Sequence, residues 1–233
     1  VIDPKQMLEE LHGLMERGIK DYQLFISNRA HIVLPYHKEL DGAYESLKKD
    51  NKIGTTKRGV GPAYADKANR IGIRMGDFIH PEIFKLKLKN ALELKNMELK
   101  MLGLEELEFE TMYKEYSSYA LELKKYVCDT SLLLEEELEK KSKILFEGAQ
   151  GVMLCLDHGT YPYVTSSSPT GASVPLNCGV APRHITDVLG ICKAYTTRVG
   201  EGPFPTELSG DLAHYIREKG HEYGTVTQRP RRV

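Results

Sequence analysis

Short β-branched segments alternate along this chain with longer stretches of helical periodicity, and this alternation limits the folds that the chain can adopt. The segments with the composition of buried strands are 24–27, 31–34, 143–148 and 188–197. Apolar residues recur at helical spacing in 4–18, 38–49, 81–100 and 111–141, the last with a break near 129–131. Together these elements predict an α/β fold with a mostly parallel central sheet, flanking helices and a helical insertion at about 81–142.

Charge and composition favour small ligands over nucleic acid or membrane. The 32 Lys and Arg residues and 33 Asp and Glu residues leave a formal charge of -1, so no overall basic field exists to hold nucleic acid phosphates. No apolar run approaches bilayer length, and the first residues do not resemble a signal peptide. The four cysteines form no C-x-x-C pair, which favours reduced thiols in a cytosolic protein over a zinc site.

A Gly-rich loop at 54–64, followed by Arg70, is the first candidate ligand site. Backbone N–H groups and Thr hydroxyls in such a loop can surround a phosphate, and Arg58 and Arg70 can add charge-assisted hydrogen bonds. An ordered surface turn with two solvated arginines explains the same residues equally well. The loop lacks the G-x-x-x-x-G-K-[ST] string of a Walker A motif.

Two further loops carry polar groups near predicted strand ends. Gln150 lies between glycines, where its NH₂ group can donate to an oxyanion that forms during a reaction; a turn glutamine bonded to nearby backbone is the simpler alternative. The pair Asp157 and His158 invites a general-base interpretation, but no nucleophile stands beside His158, so two backbone-capping turn residues are favoured. Thr165 and the serines after it are hydroxyl donors suited to a phosphate or a ribose.

The segment 224–232 concentrates Arg229, Arg231 and Arg232 in a loop of Thr, Gly and Pro. This local basic patch suits a small dicarboxylate or a polyphosphate. A solvated charge run is the alternative. Nucleic acid is the least favoured ligand, because the run is short and has no interleaved aromatic residues.

Six strings, in order and with matching spacing, resemble the adenylosuccinate synthetase family. Together they run over essentially the whole chain, which is far more specific than any single Gly-rich loop. They are I-G-T-T-x-R-G-x-G-P-A-Y at 53–64, F-E-G-A-Q-G at 146–151, D-H-G-T-Y-P-Y-V-T-S-S at 157–167, K-A-Y-x-T-R-V-G at 193–200, G-P-F-P-T-E at 202–207 and G-T-x-T-x-R-x-R-R at 224–232.

The resemblance implies a P-loop-NTPase-like architecture, with residues 1–233 forming part of a single catalytic domain. It also implies a GTP-dependent ligase of AMP biosynthesis, in which GTP phosphorylates the 6-oxygen of IMP and L-aspartate then displaces that phosphate. Gln150 would be the catalytic residue of this chain, on the 6-oxygen side of hypoxanthine. The implied IMP-binding residues are Thr56, Arg70, Gln150, Thr165, Val199 and Arg229. The implied aspartate-binding residues are Thr225, Val226, Thr227, Arg229 and Arg231, and Arg231 would also lie towards GTP.

The resemblance further implies a cytoplasmic homodimer in which Arg70 reaches the partner's site, with no nucleic acid or membrane partner. The family's N-terminal Gly-Asp-Glu-Gly-Lys-Gly-Lys loop and guanine-reading C-terminal segment are not in this sequence. We therefore expect the Mg²⁺ ligands in an N-terminal segment, and no metal ligand in this chain. Val226 and Gln228 stand where many relatives have Thr and Gly. A truncated, non-catalytic nucleotide-binding and dimerisation module is the alternative function.

Overall fold

The structure is a computed structural model that describes residues 1–224 and 228–233. Strands β1 (Ile26–Ser27) and β2 (Val127–Cys128) pair in parallel, with Ile26 opposite Val127. The chain divides into two compact units: the first comprises 1–43, 57–145 and 176–180, and the second comprises 44–56, 146–175 and 181–233. The helices are α1 (Pro4–Glu16), α2 (Pro35–Leu47), α3 (Val60–Asn69), α4 (Met75–Phe78), α5 (Pro81–Met101), α6 (Phe109–Leu123), α7 (Thr130–Glu139), α8 (Val174–Cys178) and α9 (Gly210–Lys219).

An apolar core organises the first unit. Helix α5 turns Phe84, Leu88 and Leu99 inward, all of them fully buried, because residues three, four or seven apart share one helix face. Phe78 of α4 meets Phe84 edge to face, with the ring centroids 4.9 Å apart, a geometry that adds to the gain from burial. The buried faces of α5 and α6 are therefore those that the periodicity predicted, whereas α4 was not predicted.

The predicted helices are confirmed to within three residues at their ends. The predicted break near 129–131 is also confirmed, because α6 ends at Leu123 and α7 begins at Thr130. The Asp129 carboxylate accepts the N–H groups of Ser131 and Leu132 at 3.0 and 3.4 Å. It thereby caps N–H groups at the start of α7 that have no partner within the helix.

Two predicted strands are wrong: no regular element covers 143–148 or 188–197. Their apolar side chains are exposed, 85% for Leu145 and 90% for Ile191. A strand is stable only where a neighbouring strand satisfies its N–H and C=O groups, and no described residue forms such a ladder with either segment. The α/β class is nevertheless confirmed, with a parallel sheet that is smaller than predicted. The segment 31–34 contributes isolated bridges only.

The second unit is largely loop. Its buried apolar side chains, among the described residues, are Cys155, Ala213 and Val233, too few for a continuous apolar core. Its order comes instead from polar contacts, which also define the candidate site. In neither unit do the described residues form a helix with both the length and the apolar character needed to span a membrane.

Candidate functional site

A buried carboxylate organises the first candidate ligand loop. Glu45, near the end of α2, is 6% exposed and accepts the backbone N–H groups of Ile53, Gly54 and Thr55 at 3.3, 2.5 and 3.2 Å. Burial by itself raises the pKa of Glu45, but these donors and the nearby Lys48 outweigh it and hold the pKa below its usual value. The carboxylate is therefore charged at neutral pH and fixes the turn.

This arrangement corrects one expectation from the sequence. The backbone N–H groups that were expected to surround a phosphate point at Glu45 instead. The N–H of Gly59, further along, donates to the Asp41 carboxylate at 2.9 Å. A phosphate would have to displace these carboxylates to reach the N–H groups of 53–55 and of Gly59. The side chain of Thr56 is exposed.

Two glycines allow this loop to touch a second one. Gly54 and Gly200 have φ angles of +81° and +87°, a region that favours glycine. A Cβ atom on Gly54 would lie only 2.8 Å from the Cα of Gly200, and the N–H of Glu201 donates to the C=O of Ile53 at 3.3 Å. Thr56 and Val199, both predicted to bind IMP, therefore belong to loops in contact.

The Arg229 guanidinium lies on the first of these loops. Its Nη1 donates to the C=O of Gly54 at 2.9 Å and, more weakly, to that of Thr55 at 3.5 Å. The turn that carries Arg229 is closed by the N–H of Gly224, which donates to the C=O of Arg229 at 2.8 Å, and by the N–H of Gln228, which donates to the C=O of Gly224 at 2.7 Å. The structure thus brings Arg229 to the loop that contains Thr56.

Glu222 holds the base of the same turn. This carboxylate is 4% exposed and accepts from Lys193 Nζ at 2.8 and 2.9 Å, the Tyr195 hydroxyl at 2.8 Å and Arg231 Nη1 at 2.9 Å. Burial raises the pKa of Glu222, but these donors outweigh it and the net shift is downward. An internal carboxylate therefore sets the direction of the Arg231 guanidinium.

Arg198 connects the loop that contains Thr165 to the arginine segment. Its Nη1 donates to the Thr160 hydroxyl at 3.0 Å, and its Nη2 donates to the C=O of Tyr163 at 2.9 Å. The backbone of Arg198 pairs with that of Arg232 in an antiparallel bridge. Thr165 is half-buried in that loop. Arg198 therefore joins the loop that contains Thr165 to the backbone of Arg232.

The remaining predicted residues of the second unit have fewer contacts. Gln150 is exposed and has a φ of +67°, uncommon for a residue with a side chain. The Asp157 carboxylate accepts the Ser168 hydroxyl at 3.1 Å, a contact between two side chains rather than the backbone cap that the sequence favoured. The expected aspartate-binding residues Thr225, Val226 and Thr227 lie outside the described residues.

Arg70 belongs to the first unit, where it ends α3 with a φ of +65° and an exposed side chain. The buried Asp66 fixes α3 to its neighbours: its carboxylate lies 3.0 Å from His37 Nε2 and 2.7 Å from Lys95 Nζ. Because the N–H of Leu34 donates to His37 Nδ1 at 2.9 Å, the ring proton sits on Nε2 and faces Asp66. Arg70 therefore stands at the end of a helix that buried polar contacts fix to its neighbours.

Sequence reasoning missed the carboxylates Glu45, Asp66 and Glu222. Glu45 lies in a stretch of helical periodicity, where an acidic residue indicates a solvated face. Asp66 follows the Gly-rich loop, in a segment for which no helix was predicted, although it belongs to α3. Glu222 stands two residues before Gly224, which opens the arginine segment. Of the three carboxylates, it is the only one whose position in the sequence indicated a link to the candidate site. Long-range partners such as Lys193 and Tyr195 cannot be assigned from spacing.

Glycine-containing loops and arginines of the second unit are thus held in place by the buried carboxylates Glu45 and Glu222. The family model for adenylosuccinate synthetase matches this chain over residues 1–233. The chain belongs to the adenylosuccinate synthetase family.

Curated and solved relatives agree with this assignment. The chain is 55% identical over 234 residues to the adenylosuccinate synthetases of Lactococcus lactis and of Bacillus cereus, covering 100% of this chain and 54% of each relative. It is 40% identical, with a TM-score of 0.90, to the structure of fully ligated adenylosuccinate synthetase from Plasmodium falciparum, with 100% of this chain and 54% of that chain covered. The chain thus spans about half the length of the curated relatives that it matches.

Proposed function

We propose that the chain forms the IMP- and aspartate-binding part of an adenylosuccinate synthetase. That enzyme would be a ligase that uses GTP to convert IMP to 6-phosphoryl-IMP and then forms a C–N bond with L-aspartate. The observation that carries the proposal is the position of Arg229 on the Gly54 carbonyl, where the 53–56 and 198–203 loops meet. In this proposal an arginine, a threonine loop and a ribose loop converge within one unit of the chain.

Gln150 is the proposed catalytic residue. Negative charge builds on the 6-oxygen of IMP while a phosphoryl group is transferred to it, and a carboxamide NH₂ group can donate to that oxygen. Thr56 and Thr165 would offer their hydroxyls to the 5′-phosphate, since the amides of the first loop are already bonded to Glu45. The backbone at Val199 would lie along the ribose.

The arginine segment is the proposed aspartate site. The Arg229 guanidinium now donates to a backbone carbonyl, a weaker acceptor than a carboxylate. An L-aspartate carboxylate could therefore replace that carbonyl with a gain in hydrogen-bond strength. Arg231, held by Glu222 at the base of the turn, would lie towards GTP. Closure of Thr225, Val226 and Thr227 over aspartate would exclude water from the phosphorylated nucleotide.

The complete enzyme is proposed to be a cytoplasmic homodimer that uses GTP and Mg²⁺. Arg70 would cross to the partner's site, for which its exposed position at the end of α3 is suited. Among the residues described, no group of three or more His, Cys, Asp or Glu side chains is placed to hold a metal ion. From the family resemblance, the Mg²⁺ ligands are proposed to lie in the family's N-terminal Gly-Asp-Glu-Gly-Lys-Gly-Lys loop.

Calorimetric titration of IMP, with GMP and AMP as controls, tests the proposal. We expect selective IMP binding, and a loss of roughly 10- to 100-fold in IMP affinity in Arg229→Leu, the cost of one or two charge-assisted hydrogen bonds. Arg183→Leu, which removes an exposed arginine of the same unit, is the matched control and should bind as the wild type does. Equal binding of the three nucleotides, or equal effects of the two variants, would contradict the proposal.

A second candidate is a non-catalytic nucleotide-binding and dimerisation module. It is favoured by one observation, that the chain spans about half of its curated relatives. Measurement of adenylosuccinate formation from IMP, GTP and aspartate separates the two. Turnover by the 233-residue chain excludes the module, whereas a longer protein that carries the Gly-Asp-Glu-Gly-Lys-Gly-Lys loop and binds IMP without turnover supports it.

A further inference from the structure

Helix α5 carries an apolar stripe on the side that faces solvent. The stripe consists of Ile83, Leu86, Leu94, Met97 and Met101, which are 44%, 63%, 50%, 57% and 88% exposed. At 3.6 residues per turn they fall within an arc of about 80° on the helix, away from the face of α5 that enters the core. Single exposed apolar residues are ordinary, but an aligned row along a whole helix indicates a contact surface.

Four charged residues flank the stripe on one side. Glu82, Lys89, Glu93 and Lys100 are all exposed and lie within an arc of about 40°. Glu82 and Lys100 are centred on Ala91, and so are Lys89 and Glu93. A half-turn rotation about Ala91 therefore brings each charged residue of this flank to the position of a residue of opposite charge.

The apolar stripe has nearly the same centre. Ile83 with Met101 is centred on Leu92, and Leu86 with Met97 is centred between Ala91 and Leu92. Asn90, the polar residue that interrupts the stripe, lies within two positions of this centre. Two copies of α5 placed antiparallel would thus match apolar against apolar and bring their Asn90 amides close enough to bond to each other.

Charge complementarity also selects the antiparallel arrangement. In it, like flanks face each other, so Glu82 meets Lys100 of the second copy and Lys89 meets Glu93 of the second copy, each contact occurring twice by symmetry. A parallel pair would instead set this flank against the opposite one, five residues further on, where Glu82 meets Lys87 of the second copy but Glu93 meets Glu98. Only the antiparallel pair makes each of these flank contacts one between opposite charges. The self-complementary pattern therefore identifies a second copy of this chain as the occupant.

We propose that the exposed face of α5 is a self-association surface, through which two copies of the chain pair antiparallel about Ala91. A helix of 21 residues is about 31 Å long and offers less than the roughly 800 Å² per partner of a standard interface. The association is therefore weak and concentration-dependent. It is separate from the proposed surface around Arg70, and it does not depend on the ligase function.

Sedimentation equilibrium of the 233-residue chain over a range of concentrations tests the surface. Leu94→Glu should weaken the association by at least roughly tenfold, because it places two carboxylates in the apolar seam. Leu132→Glu on α7 is the matched control, since Leu132 is 54% exposed and lies outside the stripe; its association should equal that of the wild type. A wild-type chain without concentration-dependent mass, or a Leu94→Glu variant with unchanged mass, overturns the proposal.

A mixing experiment tests the antiparallel register. Lys89→Glu and Glu93→Lys each set like charges against each other in a homotypic pair, so each variant alone should associate on the order of tenfold more weakly. In an equimolar mixture, the carboxylates at positions 89 and 93 of the first variant face the ammonium groups at positions 93 and 89 of the second, and association should return to the wild-type level. A mixture no stronger than either variant alone overturns the register, because loss of the Lys89–Glu93 contact within one helix cannot be repaired by mixing.

Discussion

The first unit buries a continuous cluster of apolar side chains together with a few ionisable groups such as Asp66, whereas the second unit buries carboxylates that face backbone N–H groups and cations without such an apolar cluster. Phe84 and Leu88 are fully enclosed in the first unit, and neither needs a directional partner. Glu45 and Glu222 are nearly as buried in the second, but each depends on three or more donors in fixed positions. Apolar packing tolerates small shifts, while a charge network holds particular groups at particular points, which suits a ligand site.

The largest test of this comparison is truncation in the apolar core. Phe84→Ala should lower the free energy of unfolding by about 3–5 kcal/mol, because it leaves a cavity beside Phe78. Leu189→Ala in the second unit removes an apolar side chain that is 84% exposed, and should change stability by less than about 0.5 kcal/mol. Urea unfolding measures both. Similar losses would show that the second unit has apolar packing after all.

The reciprocal test removes a carboxylate from the second unit. Glu222→Ala leaves Lys193, Tyr195 and Arg231 without their acceptor and should cost about 2 kcal/mol, a value reduced by solvent screening at the half-exposed Lys193. Hydrogen exchange should quicken first at the amides around 193–198 and 228–233. Glu147→Ala, at an exposed position, is the control, and exchange that quickens throughout the first unit would contradict the assignment.

The buried ionisable groups of the first unit include His31, which makes the stability of this unit sensitive to pH. Burial, aided by Arg74 and Lys67, lowers the pKa of His31 from 6.5 to about 4. The folded state therefore binds fewer protons than the unfolded state between these values, and the free energy of unfolding falls as the pH drops through that window. The expected contribution of His31 is a loss of about 2 kcal/mol between pH 7 and pH 5.

His31→Leu should flatten that part of the pH profile, as measured by urea unfolding at a series of pH values. His80→Leu, at an exposed histidine of the same unit, should keep the wild-type slope. If both variants keep the slope, the titration that destabilises the first unit lies elsewhere.

The smallest expected effect concerns the contact between two loops of the second unit. Gly210 and Gly54 both have positive φ angles, but a Cβ on Gly210 meets nothing within 4 Å, whereas one on Gly54 lies 2.8 Å from the Cα of Gly200. Gly210→Ala should cost about 1 kcal/mol from backbone conformation alone. Gly54→Ala should cost about 1 kcal/mol more. Equal losses of unfolding free energy in the two variants would mean that the two loops can move apart at no cost in stability.

Sequence patterns predicted the first unit well because its helices carry their own signals. Pro81 begins α5 and Asp129 caps α7, both as expected, and the core faces follow from spacing along the chain. The strands at 143–148 and 188–197 were predicted from composition and are wrong. A strand depends on a partner that is distant in sequence, and the composition of one segment cannot supply it.

The candidate site was predicted only in part for the same reason. Residues 53–59 of the first string form a loop as predicted, whereas 60–64 begin α3. Arg229 lies on the Gly54 carbonyl. The ligand roles of the predicted site residues stay predictions, for Thr56, Arg70, Gln150, Thr165, Val199, Arg229 and Arg231 alike. The supporting carboxylates could not be predicted, because Glu222 meets Lys193 29 residues away and nothing in either segment announces the pairing.

Because Glu45 accepts the N–H groups of 53–55, a carboxylate of the same chain already occupies the groups of this loop that could bind an anion. Any dissolved anion competes with a carboxylate that is attached to the same chain and so is present at a high effective concentration. Selectivity among ligands is thus governed from a helix position eight to ten residues before the loop. To convert this loop into an anion sensor, Glu45 is the residue to replace, with the glycines and threonines of the loop left unchanged.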